Sequence, residues 1–309
     1  AGAVETARVG GVFSNVAAKY DVNMLRFVDV CVGLIFNRIY DGIVIDQRGL
    51  QRVAEASRKG PVVFVPCHRS HIDYLALSHT LWRYSLVPPH IAAGINLSFF
   101  PMGYIFRRSG AFFMRRTFRG NPLYAAVFRH YIFELLKMGV NTEFFIEGGR
   151  SRTGKLLHPK LGMLRMVVNS AVHMKSDRIL TILPIAFSYE QIAEEKSYAK
   201  ELSGKSKQKE SVSGVLKARK ILKKRYGKVY MRVGEPIYLN EIIANFDGHW
   251  DDMEEGVQKE HLQGIATQIM HGIGQNMLIL PTGITALALL SDHRPGISLN
   301  TIHERAERY

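Results

Sequence analysis

Short apolar runs alternate along this chain with longer stretches whose apolar positions recur every three or four residues, a pattern that predicts an α/β fold. The strands predicted this way are Val62–Val65, His90–Ala93, Gly110–Arg116, Thr142–Ile146, Ile179–Phe187 and Lys228–Val233. The helices are Val22–Tyr40 behind Asp21, Gly49–Lys59, a stretch carrying Leu75, Leu77, Leu81 and Trp82, then Pro122–Met138, Leu161–His173, 254–277 and 282–290. Pro66 ends the first long strand and Pro88–Pro89 break the chain after its helix. Pro184 lacks a ladder donor, so it argues for an edge, a bulge or a strand end within 179–187.

Two stretches depart from the alternation. In Val22–Tyr40 the polar residues Asn23, Arg26, Asp29, Gly33, Asn37 and Arg38 form a narrow stripe on an otherwise apolar cylinder. Arg26, Asp29 and Arg38 would each cost about 2.5–3.5 kcal/mol at a bilayer centre, which disfavours a span. The helix reads either as lying in a membrane interface or as packed between layers of the protein. Residues 190–210 are rich in Lys and Glu and read as a solvated insertion, followed by a basic helix carrying Lys217, Arg219, Lys220, Lys223, Lys224 and Arg225. No internal repeat, low-complexity tract or linker stands out.

Composition narrows the function. The 309 residues are 47% hydrophobic, enough for one large domain or two smaller ones. Lys plus Arg number 41 against 27 Asp plus Glu, a net charge of +14 that calls for an anionic partner such as a phosphate ester, an acidic protein, an anionic lipid or a nucleic acid. Only Cys31 and Cys67 are present, which excludes a disulfide scaffold and favours a reducing compartment. The first residue is Ala and the opening stretch carries no signal-peptide pattern, so a native start is expected upstream.

Candidate chemistry gathers where strand 62–65 gives way to helix, the edge at which open α/β sheets bind ligands. There the chain reads His68-Arg69-Ser70-His71-Ile72-Asp73. A neutral imidazole takes a proton from an alcohol near pH 7, and a carboxylate on its far nitrogen fixes the tautomer and stabilises the imidazolium. Asp73 also suits a helix start on electrostatic grounds alone, His71 competes for the base role, and a metal site from His68, His71 and Asp73 is the further alternative. No other His, Cys or acid cluster has zinc spacing. Strand 142–146 runs into Glu147-Gly148-Gly149-Arg150-Ser151-Arg152. Its glycines permit an anion-binding turn. Arg150 and Arg152 point the same way in an extended segment and together match a phosphate dianion. Glu147 is placed either to orient an arginine or to accept a substrate hydroxyl. Between 96 and 118 aromatics alternate with Arg107, Arg108, Arg115 and Arg116, a pattern that serves a single-stranded nucleic acid, a membrane interface or a phosphate pocket. Two decoys fail: Gly149-x4-Gly154-Lys155 has Leu156 in place of the P-loop hydroxyl and Pro159 in its helix, and Gly149-Arg150-Ser151 lacks the closing glycine of a nucleophile elbow, with Thr153 there instead.

Four blocks taken together resemble the glycerolipid acyltransferases: His68 to Asp73, Gly110 to Arg116, Phe145 to Arg152, and Leu183-Pro184-Ile185. Residues 61–165 are most similar to the bacterial membrane-bound glycerol-3-phosphate 1-O-acyltransferases, and Lys209 to Lys220 to the dihydroxyacetone-phosphate acyltransferase branch. Bacterial members are usually longer, so the chain is expected to be a fragment or a compact relative. The resemblance implies a central mixed, largely parallel sheet flanked by helices, with an N-terminal amphipathic helix and C-terminal helices. It divides the chain into a membrane-associating segment 1–45, an acyltransferase domain 46–240 and a helical region 241–309. It implies His68 as general base and Asp73 as its orienting acid. Arg116, Arg150 and Arg152 would hold the phosphate, Glu147, Gly148 and Ser151 would shape the acceptor site, and Pro184 would form its wall. Neither a metal nor a bound cofactor is implied. The partners are glycerol 3-phosphate, acyl carrier protein or a coenzyme A thioester, and an anionic membrane surface, with no nucleic acid. The implied product is lysophosphatidate and the implied location the cytoplasmic face of the bacterial inner membrane. Dihydroxyacetone phosphate and 1-acylglycerol 3-phosphate are the alternative acceptors, and a basic lipid- or nucleic-acid-binding protein is the non-enzymatic alternative.

Overall fold

The computed structural model describes residues 2–118, 120–203, 222–291 and 296–308. Its centre is an eight-stranded sheet in the order β1-β7-β6-β2-β5-β3-β4, with β8 also paired to β6. The strands are β1 (Ile43–Ile45), β2 (Val62–Pro66), β3 (His90–Gly94), β4 (Ala111–Met114), β5 (Thr142–Glu143), β6 (Thr181–Tyr189), β7 (Val229–Val233) and β8 (Ile237–Tyr238). Strands β6, β2, β5, β3 and β4 are all parallel, β7 and β8 run antiparallel to β6, and β1 is parallel to β7. The sheet is therefore mixed and largely parallel. β2 is buried along its whole length, as a continuous apolar run between two helical layers should be.

The helices are α1 (Gly2–Val16), α2 (Val22–Ile39), α3 (Gln47–Lys59), α4 (Asp73–Arg83), α5 (Met102–Arg108), α6 (Pro122–Lys137), α7 (Leu161–His173), α8 (Glu195–Leu202), α9 (Leu239–Ala244), α10 (Glu255–Asn276), α11 (Pro281–Leu290) and α12 (Leu299–Arg308). Their starts follow capping chemistry. Asp21 accepts from Asn23 N at 2.9 Å, and Asn121 accepts from Tyr124 N at 3.0 Å ahead of a proline in the first turn of α6. α10 packs on β6 and α7, and α7 on α6, so this long C-terminal helix shares the core of the sheet. So does the start of the chain, since Val16, Val32 and Phe36 belong to the same buried cluster as β2. The basic helix predicted through 217–221 lies outside the described residues; Leu222 to Lys224 form a turn.

Pro184 stands neither at an edge nor at a strand end. It is buried inside the nine-residue β6, opposite Val65 of β2. The break in the ladder is on the side away from β2. β7 pairs with β6 from Ile185 onward and β8 pairs with Thr181 and Ile182, so the neighbouring chain changes strands opposite Pro184. Cys67 N bonds to Ile185 O toward β2, and Gly234 N to Pro184 O toward the break. Alternation of the backbone then turns the missing N–H of Pro184 into the gap, where no ladder bond is lost.

The polar stripe of α2 faces both ways. Asp29 turns inward and meets His79 Nδ1 of α4 at 2.5 Å. Phe27, Val30 and Leu34 face solvent, Leu34 at 67% exposure, with Arg26 and Arg38 also exposed. Among the described residues no single helix is long and apolar enough to cross a membrane. The bent pair α10 and α11 passes that test together, but Leu262, Ile265, Ile269 and Ile273 of α10 are buried in the protein core.

Candidate active site

His68 follows the carboxyl end of the central strand β2. Cys67 N extends the ladder to Ile185 O at 2.9 Å, so the loop leaves from a fixed point. The His68 ring stacks on Phe145 at 3.9 Å and is 15% exposed. Its Nδ1 lies 3.0 Å from Asp73 Oδ2, and the same oxygen accepts from Arg69 N at 2.7 Å and Ser70 N at 2.9 Å. The loop between the two residues thus wraps its own amides around the carboxylate. Asp73 Oδ1 accepts from the hydroxyl of Tyr189, the last residue of β6, and the carboxylate is completely buried. A carboxylate on Nδ1 places the proton there and leaves Nε2 with its lone pair free, the state a general base needs. With four donors on Asp73, the metal alternative has little left to coordinate.

The Gly-rich segment after β5 is bolted to this loop. Ser151 N donates to His68 O at 2.8 Å, and Glu147 Oε1 accepts from His68 N at 2.8 Å. Glu147 Oε2 accepts from Leu157 N at 2.7 Å. Both oxygens of this buried carboxylate are therefore engaged with backbone. Among the described residues its hydrogen-bond partners are these two amides and not an arginine, a clasp on the loop that the sequence reading did not anticipate. Ser151 is also buried, its Oγ accepting from Arg69 Nη1 at 3.4 Å, so it shapes the loop from inside. Gly148 has φ +66°, and a Cβ there would stand 3.0 Å from Lys160 Cγ, which makes glycine the residue this turn accepts.

Arg150 and Arg152 do turn the same way, and both meet α8. Arg150 Nη1 donates to Tyr198 Oη at 3.2 Å, and Arg152 Nε forms an ion pair with Glu201. Tyr198 Oη in turn donates to Arg69 O at 2.9 Å, while Glu194, just before α8, accepts from Ser70 Oγ at 2.9 Å and from His71 N at 2.8 Å. Residues 194, 198 and 201 lie on one helical face, and that face touches both the His68 loop and the two arginines. The insertion expected to be solvated over 190–210 is thus, as far as residue 203, a strap across the site; its remainder to 210 lies outside the described residues. Burial, then Glu194, pushes the Tyr198 hydroxyl up to about 12, with Arg150 opposing, so it remains a donor at neutral pH.

The other two expected site residues stand apart. Arg116 is exposed beyond the end of edge strand β4, with β3 and β5 between it and β2, roughly 14 Å at ~4.8 Å per strand. Pro184 packs toward α10, where a Cβ on Gly272 would stand 2.8 Å from its ring, so its place is in the helix–sheet contact. A cavity of about 750 Å³ adjoins the arginine end of the site, lined by Arg152, Tyr189, Tyr198, Arg225 and Tyr226 among others; His68 is not in its wall. Behind the pair, Glu143 of β5 is fully buried and neither of its oxygens has a hydrogen-bond partner among the described residues. Burial, then the charge of Asp73, holds its carboxyl well above the usual range. Tyr189, Glu194, Tyr198, Glu201 and Glu143 were not singled out from the sequence; the 194, 198, 201 spacing was the one signal that pointed to any of them.

Comparison with known proteins fits this geometry. Residues 45–188 match the family model described as "Acyltransferase", which takes in the His68 loop, the Gly-rich segment and β6 as far as Ser188. Residues 198–309 match the model described as "Glycerol-3-phosphate acyltransferase C-terminal region". The chain belongs to the glycerol-3-phosphate acyltransferase family. Among proteins of that name, the one from Pseudomonas paraeruginosa is 38% identical over 302 residues, covering 96% of this chain and 36% of its own length. The one from Histophilus somni is 42% identical over 303 residues, covering 96% of this chain and 37% of its own length. The chain thus spans little over a third of the glycerol-3-phosphate acyltransferases it matches. Among solved structures, a 1-acyl-sn-glycerophosphate acyltransferase from Thermotoga maritima aligns with TM-score 0.45 at 18% identity, covering 81% of this chain and 78% of its own.

Proposed function

We propose that this chain carries the site that moves a fatty acyl group from an acyl thioester, on acyl carrier protein or coenzyme A, to the 1-hydroxyl of glycerol 3-phosphate, giving lysophosphatidate. The observation that carries the reading is the His68–Asp73 pair held by two backbone amides and tied, through Ser151 N to His68 O, to the segment bearing Arg150 and Arg152. His68 Nε2 takes the hydroxyl proton as the alcohol oxygen attacks the thioester carbon. The tetrahedral intermediate collapses with loss of the thiolate, which regains the proton from the imidazolium. Asp73 stabilises that imidazolium. Arg150 and Arg152 supply guanidinium groups for the phosphate dianion, and the +14 charge suits acidic donors and an anionic surface.

The reading extends to where the chain works. Phe27, Val30 and Leu34 of α2, together with the exposed Phe100 and Tyr104, form an apolar margin beside Arg26 and Arg38. Such a face lies in the interface of an anionic membrane, here the cytoplasmic face of a bacterial inner membrane. The test is release of free thiol from an acyl-coenzyme A or acyl carrier protein thioester on vesicles, with glycerol 3-phosphate, dihydroxyacetone phosphate and lysophosphatidate offered in turn. Release is expected with glycerol 3-phosphate above the other two. Preference for either of the others reassigns the acceptor, and no release with any of them overturns the acyltransferase reading.

A further inference from the structure

We propose that Tyr189 is a positioning residue for the His68–Asp73 pair: its hydroxyl fixes the second oxygen of Asp73 so that the first is held toward the imidazole. The inference rests on the reading of His68 as base. The two oxygens of Asp73 are served very differently. Oδ2 accepts from His68 Nδ1, Arg69 N and Ser70 N, all within its own loop. For Oδ1, the donor among the described residues is Tyr189, which comes from another element 116 residues along the chain. The loop alone therefore fixes where Oδ2 sits, and Tyr189 fixes the rotation of the carboxyl plane about it.

Tyr189 is well placed for that duty. It ends β6, the longest strand, which is tied to the root of the His68 loop past the end of β2: Cys67 N bonds Ile185 O at 2.9 Å, and Phe187 N bonds Cys67 Sγ at 3.2 Å. Its ring lies 6.3 Å from that of Phe187 and 6.1 Å from that of Tyr40, which limits its swing. Burial, then the charge of Asp73, raises its hydroxyl well above the usual range, so it stays protonated and acts only as a donor toward Asp73.

The test is Tyr189→Phe in the full chain, which keeps the ring and removes one hydroxyl. Two readouts separate positioning from mere packing. In proton NMR, the downfield signal of the His68 Nδ1 proton, identified by its loss in Asp73→Asn, is expected to shift or broaden in Tyr189→Phe; an unchanged signal in folded protein overturns the proposal, whether or not the chain turns over. In the thiol-release assay, kcat is expected to fall about tenfold with the KM for glycerol 3-phosphate unchanged, and Tyr189→Phe is expected to add almost nothing to Asp73→Asn. Losses that multiply in the double variant also overturn it. A wild-type chain with no activity on any acceptor would sink the acyltransferase reading instead, while the NMR comparison still judges Tyr189.

Discussion

Glu147 offers the clearest test of whether a residue in this site meets substrate or scaffold. Its two oxygens accept from His68 N at 2.8 Å and Leu157 N at 2.7 Å, and its side chain is buried. Hydrogen bonds to a charged group contribute about 1.5–3 kcal/mol each. Glu147→Ala removes both and leaves two amides without acceptors, a loss of about 3–6 kcal/mol against a typical total of about 5–15 kcal/mol. Glu147→Gln keeps one acceptor and turns an NH2 toward the other amide, so about 2 kcal/mol goes with a single bond. Urea unfolding followed by circular dichroism reads these losses as midpoint shifts at unchanged slope. Turnover measured on the folded fraction of Glu147→Gln is expected to fall through kcat, because one of the two amides the carboxylate holds is that of His68 itself. Full stability with only a raised KM for the acceptor would refute the clasp and return Glu147 to the substrate.

Three further outcomes are expected. Glu201→Gln removes the charge that holds Arg152 and frees that guanidinium for phosphate, so the KM for glycerol 3-phosphate falls severalfold; a rise would mean that Glu201 orients Arg152 rather than competing for it. Glu143→Gln changes how stability depends on pH. The raised carboxyl keeps its proton in the folded state while the unfolded chain loses it above about pH 4.3, so wild type loses stability with rising pH; the Gln variant matches it near pH 4 and gains on it toward pH 8, and parallel curves would contradict this. Leu34→Glu, on the exposed face of α2, is expected to weaken sedimentation with anionic vesicles while leaving the free energy of unfolding within about 0.5 kcal/mol, as for other surface changes; unchanged vesicle binding would take α2 out of the membrane interface.

The sequence carried the sheet and its central pair better than it carried their supports. A continuous apolar run ending in proline made β2 legible, and the five-residue step from His68 to Asp73 across a strand-to-helix turn made the pair legible. The end positions of Leu161–His173 followed from 3.6-residue periodicity alone. The supports were hidden for physical reasons. A carboxylate that binds backbone amides, as Glu147 does, has the same sequence as one that binds a ligand. Tyr189 reads as an ordinary strand residue until the sheet brings it beside Asp73. Glu194, Tyr198 and Glu201 sit among lysines, and only the shared helical face sets them apart from a solvated surface. Pro184 misled because the ladder it interrupts is one that changes partner at that point. α2 divided two expectations between its faces, with Asp29 inward on His79 and Leu34 outward.

The most direct measurement is thiol release with glycerol 3-phosphate by wild type and His68→Ala, each shown to be folded by its unfolding midpoint. If an imidazole held by Asp73 takes the alcohol proton, the alanine variant loses at least about two orders of magnitude in kcat, the lower range of general-base catalysis. Turnover within a few-fold of wild type would contradict it.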